Sequence, residues 1–146
     1  MFTEGFGPYF SDLMAVTRGW PTPEIYGVGS LTLARQVVDA RDAARFAGEE
    51  GSGSQGHIPG ARSVHFARLF ADDGTYLAPQ DIADIFAESG GDAGKPVVTS
   101  CNSGMTAAVL SFGLHLAGKD DTALYDGSWL EWGEDPQTPK QAGSGR

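Results

Sequence analysis

Cysteine is almost absent from this chain: Cys101 stands alone among 146 residues. A lone cysteine excludes an internal disulfide, which suits a reducing compartment. Positive charge is scarce as well. Ten Lys and Arg face nineteen Asp and Glu, for a formal net charge of −9, whereas nucleic acids and acidic membranes call for a basic footprint. Neither is therefore an expected partner, and an anionic ligand must be drawn in by a local cluster. His65 and His115 have no ligand-spaced partners, so no metal site and no cofactor is expected. Long apolar runs are missing too. The longest, from Met105 to Ala117, is broken by Ser111 and His115 and is too short to span a bilayer. The start, Met1-Phe2-Thr3-Glu4-Gly5, lacks a basic segment ahead of an apolar one, so no signal peptide is expected. The cytoplasm is the expected compartment.

What is present reads as one soluble domain. A hydrophobic content of 40% and a charged content of 20% are ordinary for a globular chain of 146 residues. Residues 1–30 form an N-terminal extension rich in Gly, Pro and aromatics, with a short helix expected from Ser11 to Thr17. Gly19-Trp20-Pro21-Thr22-Pro23 then breaks regular structure. The domain proper spans 31–139, and 140–146 reads as a flexible tail.

Within the domain, strands alternate with helices. Gln36 to Ala40 reads as a strand, followed by a turn or short helix from Arg41 to Phe46. A Gly/Ser/acid loop covers 48–56, and Gly56-His57-Ile58-Pro59-Gly60-Ala61 turns tightly into a strand at Ser63–Phe66. Pro79 opens a helix to about Ser89, with Ile82, Ile85 and Phe86 as its buried face and Gly90-Gly91 as its stop. Pro96–Val98 is the next strand. The helix after it carries a stripe of Met105, Ala108, Val109, Phe112 and Leu116, with Leu110 and Leu114 opposite, and is expected to lie deep. Thr122–Tyr125 is the last strand. This alternation indicates an α/β domain with a mainly parallel sheet, in which ligands bind beyond the carboxyl ends of the strands. Cys101, Asp39-Ala40-Arg41 and Asp126-Gly127-Ser128 all fall at such ends.

Cys101 sits between a strand end and a helix N-terminus, where backbone N–H groups and the helix dipole favour a thiolate. A loop of amides around it can hold an extra anionic sulfur, or equally a phosphate-like oxyanion. Cysteine-dependent phosphatases need a guanidinium at the end of that loop. Here Ala107 occupies the place, and Asn102 to Thr106 carry no positive charge. Phosphoryl chemistry is disfavoured.

Four segments occur in order: Val38-Asp39-Ala40-Arg41, Gly56-His57-Ile58-Pro59-Gly60-Ala61, Cys101-Asn102-Ser103-Gly104-Met105-Thr106 and Tyr125-Asp126-Gly127-Ser128-Trp129-Leu130-Glu131-Trp132. Together, over roughly 35–135, the chain resembles a rhodanese domain, in particular the catalytic C-terminal domain of thiosulfate and 3-mercaptopyruvate sulfurtransferases. The resemblance implies a parallel five-stranded sheet with helices on both faces. It implies that Cys101 takes a sulfane sulfur from a small anionic donor and passes it, as a persulfide, to cyanide or a thiol. Asn102 and Ser103 resemble the neutral loop of mercaptopyruvate enzymes, with Ser103 at the position of a serine that assists proton transfer. Arg45 matches an arginine that binds the donor's anionic end, and Asn102, Gly104, Met105 and Thr106 complete the expected binding loop.

A second substrate arginine of mercaptopyruvate enzymes comes from the loop before the His-Ile-Pro-Gly turn, but Gly48 to Gln55 holds none. No counterpart of the N-terminal domain that walls the site in such enzymes is expected in these 146 residues. A homodimer could restore that wall, with Phe6, Tyr9, Phe10 and Trp20 as contacts. Asp39 and Arg41 are expected to form a structural pair, His57 to fix its turn, and Trp129 and Trp132 to pack. The competing expectation is a sulfur-carrier or interaction module that does not turn over.

Overall fold

The computed structural model describes residues 36–145. The expected helix at Ser11–Thr17, the Gly19–Pro23 break and the aromatic contacts of the N-terminal extension lie outside the described residues.

Four strands, β1 (Gln36–Asp39), β2 (Arg62–Ser63), β3 (Val97–Ser100) and β4 (Thr122–Leu124), form one parallel sheet in the order β2-β1-β3-β4. Register places Val37 beside Val98, and Val98 beside Ala123. Because side chains alternate along a strand, these three face one layer and share it with Phe46, Tyr125, Trp129 and Trp132. Val38 and Val97 face the other layer, with Leu69, Ile82, Phe86, Leu110 and Leu114. Helices α1 (Ala43–Ala47) and α4 (Ser128–Trp132) cover the first face; α2 (Pro79–Glu88) and α3 (Met105–Leu116) cover the second.

Local chemistry sets the helix ends. The Asp42 carboxylate accepts from the Arg45 amide at 2.9 Å and caps α1. Pro79 sits in the first turn of α2, where its missing N–H has no partner to lose, and Ile82 and Phe86 are its buried residues. Burial of each contributes about 1.5–3 kcal/mol.

Three expectations are corrected. The sheet has four strands among the described residues, not five. The stretch at His57 makes only an isolated bridge, exchanging two 2.9 Å backbone bonds with Gln141, because the Ile58-Pro59-Gly60 turn removes a donor and reverses the chain at once. The strand expected at Ser63–Phe66 is the two residues Arg62–Ser63, followed by a 3₁₀ turn over Phe66–Leu69 that folds under α3. Helix α3 does not lie deep. Its buried residues are Ala107, Leu110, Gly113 and Leu114, while Met105 and Phe112 are exposed. Gly113 explains the choice of face: a Cβ there would lie 2.7 Å from Leu69 Cδ1, so that side approaches the 3₁₀ turn closely.

The glycine-rich C-terminal segment is hydrogen-bonded to the body of the domain. Gln141 pairs with His57, Gly143 N donates to Ala47 O at 2.9 Å, and buried Trp132 donates from Nε1 to Pro139 O at 2.8 Å. These bonds use mostly backbone groups, which composition does not reveal. Among the described residues, no helix is long and apolar enough to cross a membrane.

Candidate active site

Strand β3 ends at Ser100, level with Asp39 of β1, and delivers Cys101 to the carboxyl edge of the sheet. The thiol is 1% exposed. Asn102-Ser103-Gly104 then turn the chain into α3. Gly104 adopts φ +94°, and a Cβ there would meet Asp126 O at 3.0 Å, so glycine alone suits both the dihedral and the space. That turn aims the Gly104 amide at Cys101 Sγ, 2.9 Å away.

Burial alone would push the thiol pKa up. The Thr106 hydroxyl and the N–H groups of Ala107, Gly104 and Ser103 oppose it, and the balance leaves the thiol below its ordinary value. Hydrogen bonds to the charged form favour that form. The shell of donors around Cys101 thus favours its thiolate form, which suits nucleophilic attack and equally suits holding a second, anionic sulfur.

The chain just beyond β4 supplies the floor. Cys101 N donates to Ser128 Oγ at 3.1 Å, and Ser128 Oγ donates to Tyr125 O at 2.7 Å. The first amides of α4 close the loop from below: Trp129 N donates to Cys101 O, and Leu130 N to Asn102 O, each at 2.9 Å. Ser128 is fully buried with φ +51°, a left-handed conformation that a non-glycine residue adopts at a cost.

Above Cys101 lies a cavity of about 180 Å³. Its lining brings together Cys101, Asn102, Ser103, Met105, Thr106 and Arg45, six of the residues singled out from the sequence. Gly104, the seventh, is buried and acts through its amide rather than lining the space. Arg45 stands at the rim with its side chain 56% exposed, 3.6 Å from the Asp42 carboxylate. Two other cavities, of about 140 and 380 Å³, contain no cysteine. No cluster of three or more metal-ligating side chains occurs among the described residues.

The Asp39–Arg41 pair is structural, as its position suggested. Arg41 Nη2 lies 2.8 Å from Asp39 Oδ2 and 2.8 Å from Gly56 O, and Nη1 reaches Ser54 Oγ at 3.0 Å. Its guanidinium rests 4.7 Å over the Trp129 ring. Arg41 thereby ties the 48–56 loop to the strand ends while one edge still lines the cavity. His57 fixes its turn: Nδ1 lies 2.6 Å from Phe46 O, and the ring stacks on Phe46 at 3.7 Å. The sequence placed Ser128 at the strand ends with Cys101 without assigning it a role, and it gave none in the site to His65 or Ala107. His65 lines the cavity, Ala107 gives an amide to the sulfur, and Ser128 holds the cysteine amide. For His65 and Ser128 a signal existed, since each follows the carboxyl end of a strand.

The profile of the Rhodanese-like domain family matches residues 29–135. Over 101 residues the chain is 44% identical to 3-mercaptopyruvate sulfurtransferase of Mus musculus, covering 66% of this chain and 34% of the mouse protein. Over 135 residues it is 38% identical to a putative thiosulfate sulfurtransferase of Mycobacterium tuberculosis, covering 91% of this chain and 46% of that protein. Among solved structures, SseA from Escherichia coli, described with the 3-mercaptopyruvate sulfotransferases and the rhodanese fold, superposes with a TM-score of 0.61 at 35% identity. The match covers 73% of this chain and 41% of that one. The chain therefore spans between about a third and a half of the length of these relatives.

Proposed function

This chain belongs to the rhodanese-like domain family, and from that premise we propose that it is a sulfurtransferase carrying sulfur as a Cys101 persulfide. The observation that supports this most directly is the donor shell on Cys101 Sγ, with the Gly104 amide at 2.9 Å and no guanidinium in the loop. Such a shell stabilises a monoanionic persulfide; a phosphoryl group would call for a cationic clamp.

In the first half-reaction the Cys101 thiolate attacks the transferable sulfur of the donor. From thiosulfate, the S–S bond breaks and sulfite leaves with the electron pair. From 3-mercaptopyruvate, the C–S bond breaks and the three-carbon fragment leaves as an enolate that takes a proton to become pyruvate. The Ser103 hydroxyl, on the cavity wall, is the group proposed to relay that proton. Arg45 binds the donor's carboxylate or sulfonate from the rim. In the second half-reaction cyanide or a thiol attacks the outer sulfur, and the thiolate returns. Asn102, Met105 and Thr106 shape the cavity wall and Gly104 holds the sulfur. The neutral Asn102-Ser103 pair favours 3-mercaptopyruvate over thiosulfate as donor. A cytoplasmic setting, rich in thiols, suits an external acceptor, because no second cysteine exists to resolve the persulfide internally.

The test is intact mass after exposure to each donor and removal of excess reagent. A gain of one sulfur atom that cyanide removes is the expected result, and no gain with either donor overturns the reading. A second reading, a carrier or docking module, draws on the open rim, where Met105 is 78% exposed beside the nucleophile. Many turnovers with cyanide favour the enzyme; a single loading favours the carrier.

A further inference from the structure

The cavity over Cys101 carries more recognition chemistry than the binding loop and Arg45 account for. Of its two guanidiniums, Arg41 is committed to Asp39, Ser54 and Gly56. Arg45 is the more exposed of the two, and Asp42 already sits 3.6 Å from it. The 48–56 loop adds Glu49 and Glu50 and no cation. In a chain of net charge −9, one half-engaged arginine is a thin basis for drawing an anion to a thiolate that itself repels it.

His65 supplies the missing contact. It follows β2 at the carboxyl edge of the sheet, and Val64 N donates to Asp39 O at 3.0 Å, which fixes the backbone beside it. The imidazole is half-buried, packs edge-on against Phe66 at 5.0 Å, and lines the same cavity as Cys101 and Arg45. Among the described residues no side chain forms a hydrogen bond or ion pair with it. Asp42 lines that cavity as well, and its carboxyl is held below its usual value first by the Arg45 amide, and also by the charges of Arg45 and His65. Arg45, His65 and the Asp42 carboxylate thus share the lining of one cavity with Cys101.

We propose that His65 is a specificity-determining residue that, with Arg45, forms a two-point clamp on the anionic end of a small carboxylate- or sulfonate-bearing donor. The identity of the donor rests on the sulfurtransferase reading. The contact with an anion does not, and the two can fail separately. The N–H of the imidazole donates to one anionic oxygen while the guanidinium holds another, leaving the donor's sulfur directed at Cys101.

The test compares iodoacetate with iodoacetamide, which differ in charge but react alike: Sγ forms a bond to the methylene carbon and iodide leaves. His65→Phe keeps a ring and removes the N–H. It is expected to slow alkylation by iodoacetate roughly five- to tenfold while leaving iodoacetamide unchanged, as the loss of one charge-assisted hydrogen bond would. Equal slowing with both reagents, or no change with either, overturns the clamp. Should His65→Phe not fold, His65→Arg carries the test: a higher iodoacetate-to-iodoacetamide ratio is expected, and an unchanged ratio overturns the proposal. Steady-state transfer adds the second arm, with KM for 3-mercaptopyruvate rising in His65→Phe and kcat held within about twofold. If the wild-type protein never gains sulfur but the alkylation ratio responds, the sulfurtransferase reading falls and the anion clamp stands.

Discussion

The amide of Cys101 donates to the hydroxyl of Ser128 at 3.1 Å, and that hydroxyl passes the bond on to the Tyr125 carbonyl at 2.7 Å. One fully buried serine thereby joins the end of β4 to the nucleophile of β3. Its left-handed backbone, φ +51°, is what brings the hydroxyl under the cysteine. Replacing Ser128 with Ala should cost about 1–3 kcal/mol, the penalty for stranding a buried amide. Ser128→Gly loses the same bonds but relieves the backbone, and should be milder by about 1 kcal/mol. Urea unfolding of both variants checks the order; an Ala variant as stable as the wild type would remove Ser128 from this role.

Cys101→Ser should abolish sulfur transfer while changing stability by no more than about 1 kcal/mol, since the donors around Sγ can bond a hydroxyl. Cyanide-dependent thiocyanate formation and a thermal melt read the two effects. Retained turnover would eliminate the persulfide route.

Arg45→Ala should raise the donor KM roughly five- to tenfold with a smaller change in kcat. Its ion pair with Asp42 is exposed, so the melting temperature should scarcely move. An unchanged KM would place Arg45 outside the site.

The Thr106 hydroxyl is the largest of the influences that lower the thiol pKa against the upward push of burial. Thr106→Val removes it, so the pH midpoint of Cys101 alkylation should move upward. Rates measured with iodoacetamide across pH 5 to 10 follow the shift, and a downward or absent shift contradicts the assignment.

His57 has its pKa lowered, first by burial, with its bond to the Phe46 carbonyl working the other way. The unfolded chain therefore takes up a proton more readily than the folded one. Stability from this group is fully present above the ordinary imidazole value of about 6.5 and is lost as pH falls below it. The slope is bounded by about 1.4 kcal/mol per pH unit. The melting temperature of the wild type should fall between pH 7 and pH 5, and the fall should be shallower in His57→Gln.

What the sequence determined by itself is the order of elements and the place of the chemistry. Pro79, Gly90-Gly91, the valine pairs of β1 and β3 and the small-residue loop after Cys101 act over a few residues, through dihedral preference and alternation, and so are legible along the chain. The tertiary structure decided which apolar face of α3 is buried, because Met105 and Phe112 are as apolar as Leu110 and Leu114, and it is the packing against Leu69, Ile82 and Phe86, with the close approach at Gly113, that separates them. It decided that Gln141 closes on His57, a pairing of backbone groups across 84 positions that no side-chain pattern encodes. And it decided that His65 lines the cavity and that the Ser128 hydroxyl takes the cysteine amide: register between strands, a property of the folded sheet, sets which strand ends meet.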